Sequence, residues 1–152
     1  MFEWLEATSV ARAVAESLTL TAVLSATHVL GFTLATSGAL AANLRLIGAV
    51  FWRQPLGDVL RPTSRAIAIG LAVSVGTGVL LFSARAVDAS ANGTFRLKMA
   101  LLVLAGAFQF VIGRTLGRGT GGGVPYARAL GALGLLLWAG LAAAACAFIL
   151  LE

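Results

Sequence analysis

The sequence predicts an all-α polytopic membrane protein, a four-transmembrane-helix bundle with a short N-terminal interfacial amphipathic helix. Hydrophobic residues make up 59% of the 152-residue chain and charged residues only 11%, and the mean hydropathy is +0.96. A soluble domain carries roughly 25% charged residues, so this chain lacks the polar surface that water requires. Its charges are clustered and leave four long uncharged stretches. Since about 20 apolar residues cross a bilayer, each stretch predicts one transmembrane helix.

The predicted elements follow one another within a single transmembrane domain over residues 1–152. An interfacial helix over about 2–16 precedes spans over about 18–44, 65–85, 94–115 and 128–151. The first segment contains three glutamates and one arginine, whereas a cleavable signal peptide begins with a basic region. Phe2, Trp4, Leu5 and Val10 form its apolar side, which is typical of a helix lying in the membrane interface.

Local signals predict where the spans begin and which segments connect them. Thr63 or Ser64, after Pro62, is expected to cap the second span, and Asn92 or Thr94 the third. Residues 50–62 are expected to form a connector in the interface. The glycine-rich residues 117–125 indicate a linker, because a phosphate-binding loop would end in Gly-Lys-Ser/Thr after a buried strand.

The basic residues predict the orientation of the bundle. The connections after the first and third spans hold one acid, Asp58, and seven basic residues: Arg45, Arg53, Arg61, Arg65, Arg114, Arg118 and Arg128. The other side holds four basic residues and most of the acids. The positive-inside rule then places both termini in the periplasm. The basic residues are too dispersed to form a nucleic-acid-binding patch, so the net charge of +5 is assigned to anchoring at the membrane.

Small residues recur at helical spacing in the second and fourth spans. The stripes consist of Ala66, Gly70, Ser74 and Gly78, and of Gly131, Gly134, Gly140 and Ala144. Such stripes let helix backbones approach closely in lipid. They could equally line the flat face of a porphyrin, and the sequence leaves both interpretations open.

His28 is the single histidine and lies within the first span. At about 1.5 Å per residue it is roughly 15 Å below the membrane surface, where an ionisable side chain is a functional candidate. One interpretation is a hydrogen bond to a neighbouring helix, to Gln109 or a hydroxyl. A second is ligation of haem or another metal, and a third is contact with a proton path or a quinone.

Four short motifs resemble those of a bacterial family of small four-helix integral membrane proteins of unknown function, and the match extends along nearly the whole chain. They are Trp4-Leu5, His28-Val29-Leu30-Gly31, Asn43-Leu44-Arg45-Leu46-Ile47-Gly48 and Phe95-Arg96-Leu97-Lys98. The chain is more distantly similar to the copper-resistance membrane domain and to the four-helix bacterial protoporphyrinogen oxidase. The resemblance implies a porphyrin- or metal-associated bundle in the bacterial inner membrane. The chain departs from the family pattern at Ser25 and Asn43, where the family often has acids, and at Gly113, where it often has histidine.

These observations lead to two functional hypotheses. In the first, the chain is a cytochrome-b-like redox or electron-transfer component: His28 ligates haem b, while Arg96 and Lys98 pair with its propionates. Because no second histidine is present, the haem would be five-coordinate or shared with a partner. In the second, the chain is a cofactor-free accessory subunit that packs against other membrane subunits or further copies of itself. An enzyme finds little support, since no paired carboxylates lie within the spans and Cys146 is the single cysteine.

Overall fold

The computed structural model describes residues 2–117 and 126–150, except for the side chains of residues 149 and 150. The described residues form seven helices, which are α1 Glu3–Glu6, α2 Ser9–Glu16, α3 Leu18–Ile47, α4 Leu56–Ser83, α5 Ala86–Ala91, α6 Gly93–Leu116 and α7 Ala127–Leu150. Four of them, α3, α4, α6 and α7, are long and apolar enough to cross a membrane. The predicted all-α fold with four spans and a short N-terminal helix is therefore confirmed. Most of the predicted linker, residues 118–125, lies outside the described residues.

The four long helices form a ring in the order α4, α3, α7, α6. The α3/α4 contact is the most extensive and the α4/α6 contact is the least extensive of the four. A small apolar core lies between the helices, made of Ala35, Ala39, Ile67, Ala105, Trp138 and Leu141. Large apolar side chains point outward, such as Leu30, Val103 and Leu136, each with more than two thirds of its surface exposed. An apolar exterior of this kind suits lipid tails better than water.

The bundle has two chemically different ends. At one end α3 and α6 finish and α4 and α7 begin; it carries Arg45, Arg53, Arg61, Arg65, Arg114 and Arg128 and is called the basic end below. The other is called the terminal end and carries the short helices α1, α2 and α5. At the basic end α3 stops at Gly48, whose φ of +87° favours glycine and whose N–H bonds to the carbonyl of Leu44.

Helices α3 and α4 approach each other closely through glycines. A Cβ atom on Gly70 would lie 2.5 Å from the backbone nitrogen of Ala35 and 2.6 Å from the carbonyl oxygen of Gly31. A Cβ on Gly31 would in turn lie 2.8 Å from the nitrogen of Ser74. The helix backbones therefore touch directly at Gly70, and this part of the predicted stripe serves close packing.

Helix α4 begins at Leu56, earlier than the predicted start near residue 65. Pro62 consequently lies inside the helix, where it cannot donate a bond to the carbonyl of Asp58. The first turns nevertheless bury Val59 and Leu60, which offsets the loss of that bond. The prediction that Thr63 or Ser64 caps this helix was wrong, because Pro55 is at the cap position and the Thr63 hydroxyl donates to the carbonyls of Val59 and Leu60.

The cap of α6 agrees with the sequence prediction. The side-chain oxygen of Asn92 accepts bonds from the backbone N–H groups of Thr94 and Phe95, at 2.8 and 3.2 Å. This arrangement is the usual way in which asparagine satisfies the first free N–H groups of a helix. Asn92 is therefore confirmed as the cap, and Thr94 lies inside the helix.

The predicted interfacial helix is divided in two at Ala7 and Thr8. Thr8 ends α1 and begins α2, because its hydroxyl donates to the carbonyl of Leu5 and accepts from the N–H of Ala11. Helix α5, which the sequence analysis did not predict, lies beside α1. The Glu6 carboxylate accepts a 2.8 Å bond from the N–H of Val87 and so joins the two short helices.

Candidate functional site

The imidazole of His28 faces α4 and bonds to the backbone of that helix. Its Nδ1 atom lies 2.7 Å from the carbonyl oxygen of Ser74, 3.3 Å from Oγ1 of Thr77 and 3.4 Å from Oγ of Ser74. A carbonyl oxygen can only accept, so the close contact to Ser74 assigns the proton to Nδ1. In the neutral ring, Nε2 then keeps its lone pair. No hydrogen bond reaches Nε2 from the described residues.

The predicted stripe of small residues makes room for this contact. A Cβ atom on Gly78 would lie 2.9 Å from Cε1 of His28, so a larger residue there would push the imidazole away from α4. Ser74, one turn earlier, contributes both its carbonyl and a small side chain. The stripe on α4 therefore contacts the backbone of α3 at Gly70 and the imidazole ring at Gly78.

Lys98 is the charged residue that the fold brings toward His28. It is half-buried on α6, and its ammonium group is close enough to interact electrostatically with His28. The Nζ atom also lies 5.6 Å from the centre of the Phe148 ring. Arg96, the other predicted anchor, is exposed, and no contact joins it to His28. Of the three predicted site residues, Lys98 interacts with His28 only electrostatically, without a direct contact.

An aromatic cluster lies beside Lys98 at the terminal end. The rings of Phe82 and Phe95 stack at 5.3 Å with an angle of 11° between their planes, and Phe95 contacts Phe148 at 5.6 Å. Phe2 meets the edge of Phe82 at 5.7 Å. Sequence reasoning noted Phe95 only as part of a motif. The other three lie in different segments, and only the fold shows that they meet.

The suggested hydrogen bond between His28 and Gln109 does not form. Gln109 is 3% exposed, and its side-chain oxygen accepts a 3.2 Å bond from Nδ2 of Asn43, which is completely buried. This bond crosses the bundle from α3 to α6. Glycines of α7 cover it: a Cβ on Gly134 would overlap the Asn43 side chain. The pair was missed, although both residues stood out as polar groups in apolar runs.

The Asn43–Gln109 bond is expected to contribute measurably to stability. In a double-mutant cycle with Asn43→Ala and Gln109→Ala, we expect a coupling of about 0.6 kcal/mol, and at most about 1.7, as for other hydrogen bonds between membrane helices. The measurement is reversible unfolding of the four proteins in detergent. Strictly additive effects would show that the bond contributes nothing beyond the packing of each residue.

The described residues offer few metal ligands. They contain no group of three or more His, Cys, Asp and Glu side chains that could hold a metal ion. Cys146 is exposed on α7. Haem iron takes only one or two ligands from a protein, and the Nε2 atom of His28 could supply one of them.

Known proteins give no significant match. No protein-family model, curated protein or solved structure is similar to the chain at a significant level. The resemblance to small bacterial four-helix proteins therefore remains a prediction based on its short motifs.

Proposed function

We propose that the chain is a haem-associated, cytochrome-b-like electron-transfer component of the bacterial inner membrane, with His28 as its axial ligand. The supporting observation is the 2.7 Å contact between Nδ1 of His28 and the Ser74 carbonyl. Histidines that bind metals almost always donate their other N–H to a carbonyl, a carboxylate or water, which fixes the tautomer and the ring orientation. Here the same bond leaves the lone pair of Nε2 available to bind the iron. Bound haem would supply a one-electron couple at this position.

Such a group would have to lie outside the α3/α4 interface. The α3/α4 interface has no space for a porphyrin, since backbone atoms of Gly31, Ala35 and Gly70 would already collide with a single added Cβ. Lys98 of α6 lies within electrostatic range of His28. Its ammonium group would pair with a propionate, and the rings of Phe95 and Phe148 offer apolar surface beside it.

Lys98 and Arg96 are expected to differ in their influence on the redox potential. Lys98→Met removes a positive charge near the iron, which favours the ferric state because that state carries one more positive charge. The midpoint potential should therefore fall. Arg96→Gln also removes one positive charge, from an exposed side chain two residues earlier. Solvent screens the charge of Arg96 more strongly than that of Lys98. Potentiometric titration of the haem band should show the larger decrease for Lys98→Met; equal shifts would contradict the placement of Lys98.

The proposed orientation puts the basic end in the cytoplasm and both termini in the periplasm. Its support is the concentration of arginines at the basic end and of acids at the other. The test is a pair of C-terminal reporter fusions. Alkaline phosphatase should be active and green fluorescent protein dark, and the reverse result would invert the topology.

A cofactor-free accessory subunit is the second candidate, and the contacts of His28 also favour it. Ser74 and Thr77 satisfy Nδ1 without any ligand, so the imidazole could serve simply to join α3 to α4. A reduced-minus-oxidised spectrum with a pyridine haemochrome assay separates the candidates. A sharp α band with nearly stoichiometric haem supports the cytochrome, whereas a featureless spectrum from haem-sufficient cells supports the accessory subunit.

A further inference from the structure

The seam between α4 and α6 opens into a groove at the basic end. This groove encloses about 420 Å³. Arg61 and Arg65 of α4 and Arg114 of α6 lie at its mouth, and Ile67, Leu71 and Phe110 line its apolar part. The groove lies along the α4/α6 contact, the least extensive of the four in the ring, where Gly113 packs closely against Ser64.

The three arginines of the groove share no acidic partner among the described residues. No described carboxylate comes within 4 Å of their guanidinium groups, and Arg114 instead lies 4.7 Å from the centre of the Phe110 ring. Arg61 and Arg65 are four residues apart on one face of α4, a spacing at which like charges destabilise a helix. An anion at the mouth would relieve this repulsion and accept charge-assisted hydrogen bonds.

The interior of the groove suits a hydrocarbon chain. Leu71 and Gly106 lie about 10 Å further along their helices than Arg65 and Arg114, at roughly 1.5 Å per residue. A Cβ built on Gly106 would meet Cδ1 of Leu71 at 3.7 Å, an ordinary van der Waals contact, so this part of the seam has room for at least a methyl group. The groove therefore combines a cationic mouth with an apolar interior, both reachable from the membrane.

We propose that this groove binds an anionic phospholipid of the leaflet at the basic end. Arg61, Arg65 and Arg114 hold the phosphate, and one acyl chain lies along the seam past Leu71 and Gly106. Basic pockets between transmembrane helices are a recognised way of binding anionic headgroups, and arginine matches the phosphate with a planar fork of donors. This site is independent of His28 and of the proposed cytochrome function.

The test measures lipid binding to the delipidated protein in detergent by native mass spectrometry and thermal stabilisation. The wild type should retain phosphatidylglycerol or cardiolipin and be stabilised by these lipids. Phosphatidylethanolamine should bind and stabilise it much less. The Arg61→Gln/Arg65→Gln variant should bind phosphatidylglycerol about tenfold more weakly. The matched control is Arg53→Gln/Arg128→Gln, which removes the same charge from the same end outside the groove and should bind normally.

Two further measurements identify the source of the phosphate and the path of the acyl chain. Inorganic phosphate at the same concentrations should give little stabilisation; stabilisation equal to that by the lipid would overturn the lipid assignment. Gly106→Leu fills the seam and should weaken lipid binding, and an unchanged affinity would overturn the placement of the acyl chain. Equal binding of phosphatidylethanolamine by the wild type, or an equal loss in the control variant, would show that the groove does not select the anionic lipid.

Discussion

If the chain is the proposed cytochrome, replacing His28 with alanine is expected to abolish the haem absorption of the purified protein. The loss of Nε2 removes the axial bond that this chain is proposed to supply. The Soret and α bands, with the haem measured by pyridine haemochrome, should fall to background. Unchanged absorption in His28→Ala would reject His28 as the ligand.

The controls for His28→Ala separate ligation from packing, because the same change also removes the contact with Ser74. Thr27→Ala alters the adjacent residue, whose hydroxyl bonds only within α3, to the carbonyl of Val23, and it should keep its haem. Adding imidazole to His28→Ala should restore part of the Soret band. A correctly folded His28→Ala protein that imidazole cannot restore would indicate that the histidine acts through packing.

Replacing Gly70 with alanine should be one of the most damaging single-methyl changes at the described glycines. The added Cβ would lie 2.5–3.0 Å from three backbone atoms, the nitrogen and Cα of Ala35 and the carbonyl oxygen of Gly31. Backbone atoms cannot rotate away as a side chain can, so α3 and α4 must separate. We expect a loss of about 1–3 kcal/mol in the free energy of unfolding, measured by reversible denaturation in detergent.

Gly76→Ala is the matched control for Gly70→Ala, since it makes the same change on the same helix. Nothing lies within 4 Å of a Cβ built on Gly76, and alanine favours a helix more than glycine does by up to about 1 kcal/mol. This variant should be as stable as the wild type or slightly more stable. If the two variants behave alike, the α3/α4 contact is looser than the structure indicates.

The sequence was sufficient to predict the spans, because their length and apolar composition follow directly from the thickness of the bilayer. It was misleading for the start of α4, where Pro62 suggested a boundary. Burial of Val59 and Leu60 extends the helix through the proline, and tertiary packing of this kind has no signature in the local sequence. The six-residue α5 was missed for the same reason.

The candidate site could be predicted only in part. His28 stood out as the one ionisable group in its span, but its partner is a backbone carbonyl, which every residue possesses and no sequence pattern marks. Helical geometry could have separated Lys98 from Arg96, since residues two apart differ by about 200° around a helix and cannot both face the interior. Predicting which of them does so required the position of α6 in the ring.

The close contact of α3 with α4 also has a consequence for how the protein is made. These two helices are consecutive, joined by the short segment 48–55, and precede α6 and α7 in the chain. Their glycine interface needs no atom of α6 or α7, so the hairpin can assemble in the bilayer while the second half is still being synthesised. The later pair then docks mainly through α7 onto α3. The bundle would thus assemble in two steps. The imidazole of His28 would contact Ser74 before α6, which carries Lys98, packs against the first two spans.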